Sequence, residues 1–122
     1  GGRDSLYAID YAARVADELG ADVVKLNMPK LDERSRAASP APYNTLDLSL
    51  EDATAKIVQS AGKTPVLFSG GARLDEQDVV DKARIAIEAG ATGLIFGRNV
   101  WQRQREEALR LAARIKEIML AH

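Results

Sequence analysis

Helix and strand signals alternate along these 122 residues, which predicts an α/β fold with a parallel sheet. Three observations carry that expectation. Apolar residues recur at helical spacing in four segments. Between them lie three short, almost uniformly apolar runs, as expected of strands covered on both faces. The turns also repeat. Leu19-Gly20-Ala21-Asp22-Val23-Val24 and Ala89-Gly90-Ala91-Thr92-Gly93-Leu94-Ile95 share one design of helix end, Gly-Ala turn and apolar strand, and Ala61-Gly62 before Pro65-Val66-Leu67 is a looser copy. These connections fall on the face opposite any active site, so they report fold and not function.

Each element follows from local signals. Residues 5–19 carry apolar positions at 6, 8, 9, 12, 13, 15, 16 and 19, with Asp4 or Ser5 placed as N-cap and Gly20 as the stop. Residues 22–27 form a short strand rich in valine. The polar stretch 28–49 holds three prolines and reads as a long βα loop, a lid or a surface insertion. Ser49 opens a second helix over 50–61, with Asp52 approximating a capping box. Strands are expected over 65–69 and 93–96, a helix over 75–89 between them, and a last helix over 103–120. Val100 and Trp101 read as an apolar pair sealing the core. Arg103, Arg105, Glu106, Glu107 and Arg110 read as a solvated helix face with i,i+4 pairs.

Ligands of α/β folds sit beyond the carboxyl ends of the strands. Those ends are Lys25-Leu26-Asn27, Ser69-Gly70-Gly71 and Gly97-Arg98-Asn99. Alternation places Val23, Lys25 and Asn27 on one face and Val24 and Leu26 on the other. A lysine on the interior face of a barrel must leave water, which favours the neutral amine that attacks a carbonyl. The same lysine also fits a strand end whose ammonium reaches solvent. Gly70-Gly71 allows close approach of a ligand to the backbone, and Arg98 after Gly97 adds a guanidinium suited to phosphate.

Composition narrows the chemistry. With 17 basic and 18 acidic residues the net charge is -1, which provides no field for nucleic acid or anionic lipid. The sequence has no cysteine and its one histidine is the terminal His122, so thiol nucleophiles, histidine catalysis and the usual metal sites are not expected. No apolar run reaches the ~20 residues of a membrane span. A cytoplasmic location is the default expectation.

Gly1-Gly2-Arg3, Tyr11-Ala12-Ala13-Arg14-Val15-Ala16, the run from Leu19 to Lys25, Pro65-Val66-Leu67-Phe68-Ser69-Gly70-Gly71, and the run from Ala89 to Gln102 together resemble the class I fructose-bisphosphate aldolases of archaeal and bacterial type, a family related to deoxyribose-phosphate aldolase. The resemblance spans most of the chain outside 28–49. It implies the C-terminal half of a TIM barrel, strands six to eight, as one partial domain over 1–122. By that likeness Lys25 forms an imine with the substrate, and Ser69, Gly70, Gly71, Gly97 and Arg98 hold its phosphate.

The implied reaction splits fructose 1,6-bisphosphate into dihydroxyacetone phosphate and glyceraldehyde 3-phosphate, without metal or cofactor. Two other readings remain open: a ketose-phosphate synthase or thiolase of the same family, and an inactive half-barrel that binds phosphate or a partner. The family takes an aspartate and a proton-donating tyrosine from earlier strands, and Tyr7, Tyr11 and Tyr43 do not match that tyrosine's place. The 122 residues are about half of the ~250 in a complete barrel. The expected partners are therefore a phosphorylated sugar together with further copies or the missing N-terminal half, and the fragment alone is expected to be inactive.

Overall fold

The computed structural model describes residues 2–122; Gly1 of the Gly1-Gly2-Arg3 opening lies outside the described residues. The elements are α1 (Leu6–Glu18), β1 (Val24–Asn27), α2 (Glu33–Ala37), α3 (Leu50–Ser60), β2 (Val66–Ser69), α4 (Glu76–Glu88), β3 (Gly93–Ile95), α5 (Arg98–Trp101) and α6 (Arg105–Leu120). The four long helices and three strands stand where periodicity places them.

Of the two candidate caps for α1, Ser5 is the one used: its hydroxyl accepts from the Ala8 N–H. Ser49 caps α3 in the same way, accepting from Asp52 N–H at 3.0 Å. Gly20 and Gly90 adopt φ of +80° and +97°. There they close α1 and α4 with paired bonds, Ala21 N–H to Ala16 O and Ala91 N–H to Ala86 O, both 3.0 Å. The repeated Gly-Ala turn is thus one helix-ending motif used twice.

The strands form one parallel sheet in the order β1-β2-β3. Val24 stands beside Val66; Lys25, Leu67 and Gly93 share one row, and Asn27, Ser69 and Ile95 the row beyond it. Helices cover a single face. Val24, Leu26, Val66 and Phe68 point into it and meet Leu6, Ile9 and Ala13 of α1 and Ala53 and Ile57 of α3. A second cluster joins Val79, Val80 and Ala83 of α4 to Leu111 and Ile115 of α6. No helix among the described residues is long and apolar enough to cross a membrane.

The other face of the sheet is open, and this corrects one expectation. Val23 is 49% and Ile95 41% exposed, and Lys25, between Val24 and Leu26 that are buried, is exposed too. Three strands are too few to curl into a closed barrel. The face that a barrel turns inward therefore meets solvent here, and the enclosed setting expected for Lys25 is not formed by these residues.

The 28–49 segment is more structured than its polar composition suggests. It contains α2, capped by Asp32, and returns across the outside of α1 and α3 with Tyr43, Leu46 and Leu48 packed on the core. Tyr43 Oη donates to Asp10 Oδ2 at 2.6 Å, and Lys56 Nζ of α3 lies 3.2 Å from the same oxygen. Burial first, and then the Asp10 carboxylate, push the Tyr43 hydroxyl above its ordinary range.

Candidate active site

The carboxyl ends of the three strands open into one groove of about 440 Å³. Asn27, Ser69, Gly70, Gly71 and Arg98 line it, which brings four of the expected residues together at one place. Arg3, Lys30 and Lys82 add positive charge, and Asp4 is the only carboxylate in the lining. The side chains of Arg98 and Lys82 make no ion pair or hydrogen bond among the described residues. Four cations against one carboxylate, in a chain of net charge -1, make this an anion-attracting concavity.

The sheet register explains why these groups converge. Asn27 and Ser69 are row partners at the strand ends, and Ser69 Oγ donates to Asn27 Oδ1. Asn27 Nδ2 in turn donates to Asp4 Oδ1 at 2.9 Å. Lys30 Nζ lies 3.6 Å from the other Asp4 oxygen, while Lys30 N–H donates to Asp4 O at 2.8 Å. The Asn27 amide, followed by the charges of Lys30 and Arg3, holds the Asp4 carboxyl below the usual carboxylate range against the opposing effect of partial burial. Sequence places Asn27 at a strand end without giving it a role, and reads Asp4 only as a candidate helix cap. Their signal is a pairing across 23 residues, which neither stretch shows alone.

The two glycines of Gly70-Gly71 have different reasons to be glycine. A Cβ on Gly70 would lie 2.3 Å from Phe96 Cδ1 and 3.0 Å from Asn99 Nδ2. Gly70 N–H already donates to Ile95 O at 3.0 Å. Packing against the β3 end therefore accounts for glycine at position 70, which also lines the groove. Gly71 has φ +66° with nothing within 4 Å of its Cβ position, so conformation requires glycine there and its side toward the groove is open. The hydroxyl hydrogen of Ser69 is committed to Asn27, so it is not free to donate elsewhere. Gly97 precedes α5 and has the Trp101 indole 3.6 Å from its Cβ position.

Lys25 does not line the groove. It lies one strand period, ~6.6 Å, back from Asn27 on the same open face. A ligand seated at the strand ends and extending down that face would pass over it.

Two expectations about the final segment are corrected. Trp101 is 69% exposed. On the short helix α5 it stands about 200° from Asn99, which takes the inward position. Arg103 is also not part of a solvated face: its Nε donates to Asn99 O at 2.6 Å and its Nη2 to Leu74 O. Arg110 pairs with Glu76 of α4 at 3.3 Å instead of along its own helix.

Residues 5–103 match the model of the DeoC/LacD family aldolases. The chain belongs to that aldolase family. Among its relatives, the class 1 fructose-bisphosphate aldolase of Halobacterium salinarum is 39% identical over 100 residues, which are 82% of this chain and 31% of that protein. An archaeal fructose 1,6-bisphosphate aldolase crystal structure superposes with TM-score 0.74 at 32% identity, covering 100% of this chain and 40% of that one. A structure of the Schiff-base-forming fructose-1,6-bisphosphate aldolase, described with its reaction intermediates, superposes with TM-score 0.72 at 33% identity, covering 98% and 40%. This DeoC/LacD family chain spans about a third of the length of the curated relative it matches. Its three parallel strands with their helices are accordingly part of a (β/α)₈ barrel.

Proposed function

We propose that this chain carries the imine-forming lysine and the phosphate-binding end of a class I aldolase that acts on a phosphorylated ketose. The favoured substrate is fructose 1,6-bisphosphate, split into dihydroxyacetone phosphate and glyceraldehyde 3-phosphate. The observation that carries the reading is the cationic groove at the strand ends, on the same sheet face as Lys25.

Arg98, whose guanidinium has no partner among the described residues, lines the groove and supplies a bidentate partner for phosphate oxygens. With the phosphate held there, the rest of a ketose extends down the open face toward Lys25, and that positioning is worth several kcal/mol of barrier. The neutral amine of Lys25 adds to the ketone carbon, and loss of water leaves an imine. In its protonated form the imine takes up the electron pair of the carbon–carbon bond as the hydroxyl on the departing carbon gives up its proton to a base and that carbon leaves as the aldehyde. The resulting enamine is then protonated and hydrolysed, which frees the ketone and the lysine.

The exposed setting of Lys25 assigns turnover to a closed barrel, in which further strands exclude water from this face. The partner that supplies them is either another copy or an N-terminal half-barrel. In this account the 122 residues alone bind the phosphorylated ketone without turning it over.

Affinity tests the reading directly. Dihydroxyacetone phosphate binds the chain, and unphosphorylated dihydroxyacetone binds far more weakly. Arg98→Gln removes a charge-assisted contact worth about 1.5–3 kcal/mol, so it weakens the phosphorylated ligand by about tenfold or more. Titration calorimetry on both ketones and both proteins measures this. Equal affinity for the two ketones, or an Arg98→Gln protein that binds like the parent, overturns the phosphate anchor.

A further inference from the structure

Asn99 is 1% exposed and sits where the segment after β3 meets the 70–74 loop after β2. Its side-chain amide is fully engaged with that loop. Oδ1 accepts from Leu74 N–H at 2.7 Å, and Nδ2 donates to Gly70 O at 3.2 Å and Ala72 O at 3.1 Å. Arg103 fixes Asn99 from behind by donating to its carbonyl at 2.6 Å and to Leu74 O. One buried amide therefore templates five residues of loop that have no secondary structure to hold them.

This templating has a directional consequence. In a trans peptide the C=O of one residue and the N–H of the next point in opposite directions. With the carbonyls of Gly70 and Ala72 turned in toward Asn99, the N–H groups of Gly71 and Arg73 are turned out. Neither N–H donates to a partner among the described residues, and Gly71, Ala72 and Leu74, on either side of Arg73, line the same cationic groove as Arg98. Outward backbone N–H groups on one side of a loop offer donors to an anion.

We propose that Asn99, held by Arg103, is the positioning residue that turns the Gly71 and Arg73 N–H groups toward a phosphate anchored at Arg98. The inference rests on the phosphate reading of the groove and deepens it, because it names what shapes the cradle. Asn99 itself touches no ligand in this account. It acts through the two peptide groups.

The test is titration of the ¹⁵N-labelled 122-residue chain with inorganic phosphate, followed at individual amides. In the parent protein the Gly71 and Arg73 amides shift saturably. In Asn99→Ala the dissociation constant rises about tenfold, in keeping with the loss of oriented donors. The Leu74 amide also loses its protection from hydrogen exchange, while protection in α1, α3 and β1 is kept. A merely structural role would instead raise exchange throughout and leave the affinity of the folded fraction unchanged.

Arg103→Met, which spares the Asn99 side chain, raises the constant by a smaller factor and decides the matter if Asn99→Ala does not fold. Parent-like phosphate affinity in the folded variants, with saturable shifts in the parent, overturns the role of Asn99 and leaves the groove reading intact. An absence of phosphate-dependent shifts at Gly71 and Arg73 in the parent removes the phosphate reading and this inference with it.

Discussion

Replacing Gly70 with alanine destabilises the protein by about 1–3 kcal/mol, as overpacking of a well-filled site does. The added methyl group would stand 2.3 Å from Phe96 Cδ1 and 2.7 Å from Phe96 Cε1. These are ring atoms, and they cannot withdraw as the end of a flexible chain can. Phe96 packs against the α4–α6 cluster, so a ring displaced by the methyl presses on Val79, Val80 and Leu111. On its other side the methyl group would meet Asn99 Nδ2 at 3.0 Å, which threatens the bonds that hold the 70–74 loop. Thermal unfolding followed by circular dichroism reads the loss as a drop of roughly 4 °C per kcal/mol for a chain of this size. An unchanged midpoint would mean that the Gly70–Phe96 approach is not as tight as described.

Replacing Phe68 with alanine has a larger effect. Phe68 is 1% exposed at the centre of the middle strand and faces the helices. It sits in the cluster formed with Leu26, Ile57 and Ala86, so its removal leaves a cavity bounded by two helices and a strand that cannot easily collapse. Such a truncation costs about 3–5 kcal/mol. Against a total stability of about 5–15 kcal/mol, that is a large share. Denaturant unfolding of the two proteins under the same conditions compares them. A loss below about 1 kcal/mol would place Phe68 outside the core.

Local rules made the scaffold legible. Ser49, Gly20 and Gly90 act through their own backbone neighbourhood, and a helix of three turns repeats its apolar stripe often enough to be read. The strand alternation likewise separated Val24 and Leu26 from Lys25 and Asn27. What escaped depends on contacts between distant residues. A helix of four residues, α5, leaves no period to detect. Asn99 looks like any turn residue until the 70–74 loop is folded over it. Arg103 reads as a surface charge from its neighbours in sequence, and only the carbonyls of Asn99 and Leu74 give it a different role.

Gly70 and Gly71 show how far a motif can carry a site. As a pair they mark a turn at a strand end, and the groove is there. Sequence could not divide the pair into one glycine required by a phenylalanine ring and one required by a positive φ. The setting of Lys25 is a third kind of case. Its face of the strand is set by alternation, whereas its enclosure depends on strands that these residues do not include. The groove's excess charge was hidden for a similar reason: Arg3, Lys30, Lys82 and Arg98 are spread along the chain and are balanced by carboxylates elsewhere in the composition.

Covalent trapping tests the central claim, the role of Lys25, most directly. The chain, assembled with the strands that close its barrel, is incubated with dihydroxyacetone phosphate, reduced with borohydride, digested and mapped by mass spectrometry. The account predicts a reduced adduct on the peptide carrying Lys25, in preference to Lys30, Lys56, Lys63, Lys82 and Lys116, and a fall in its yield when inorganic phosphate competes for the groove. No adduct at Lys25, or modification spread evenly over the lysines, would contradict it.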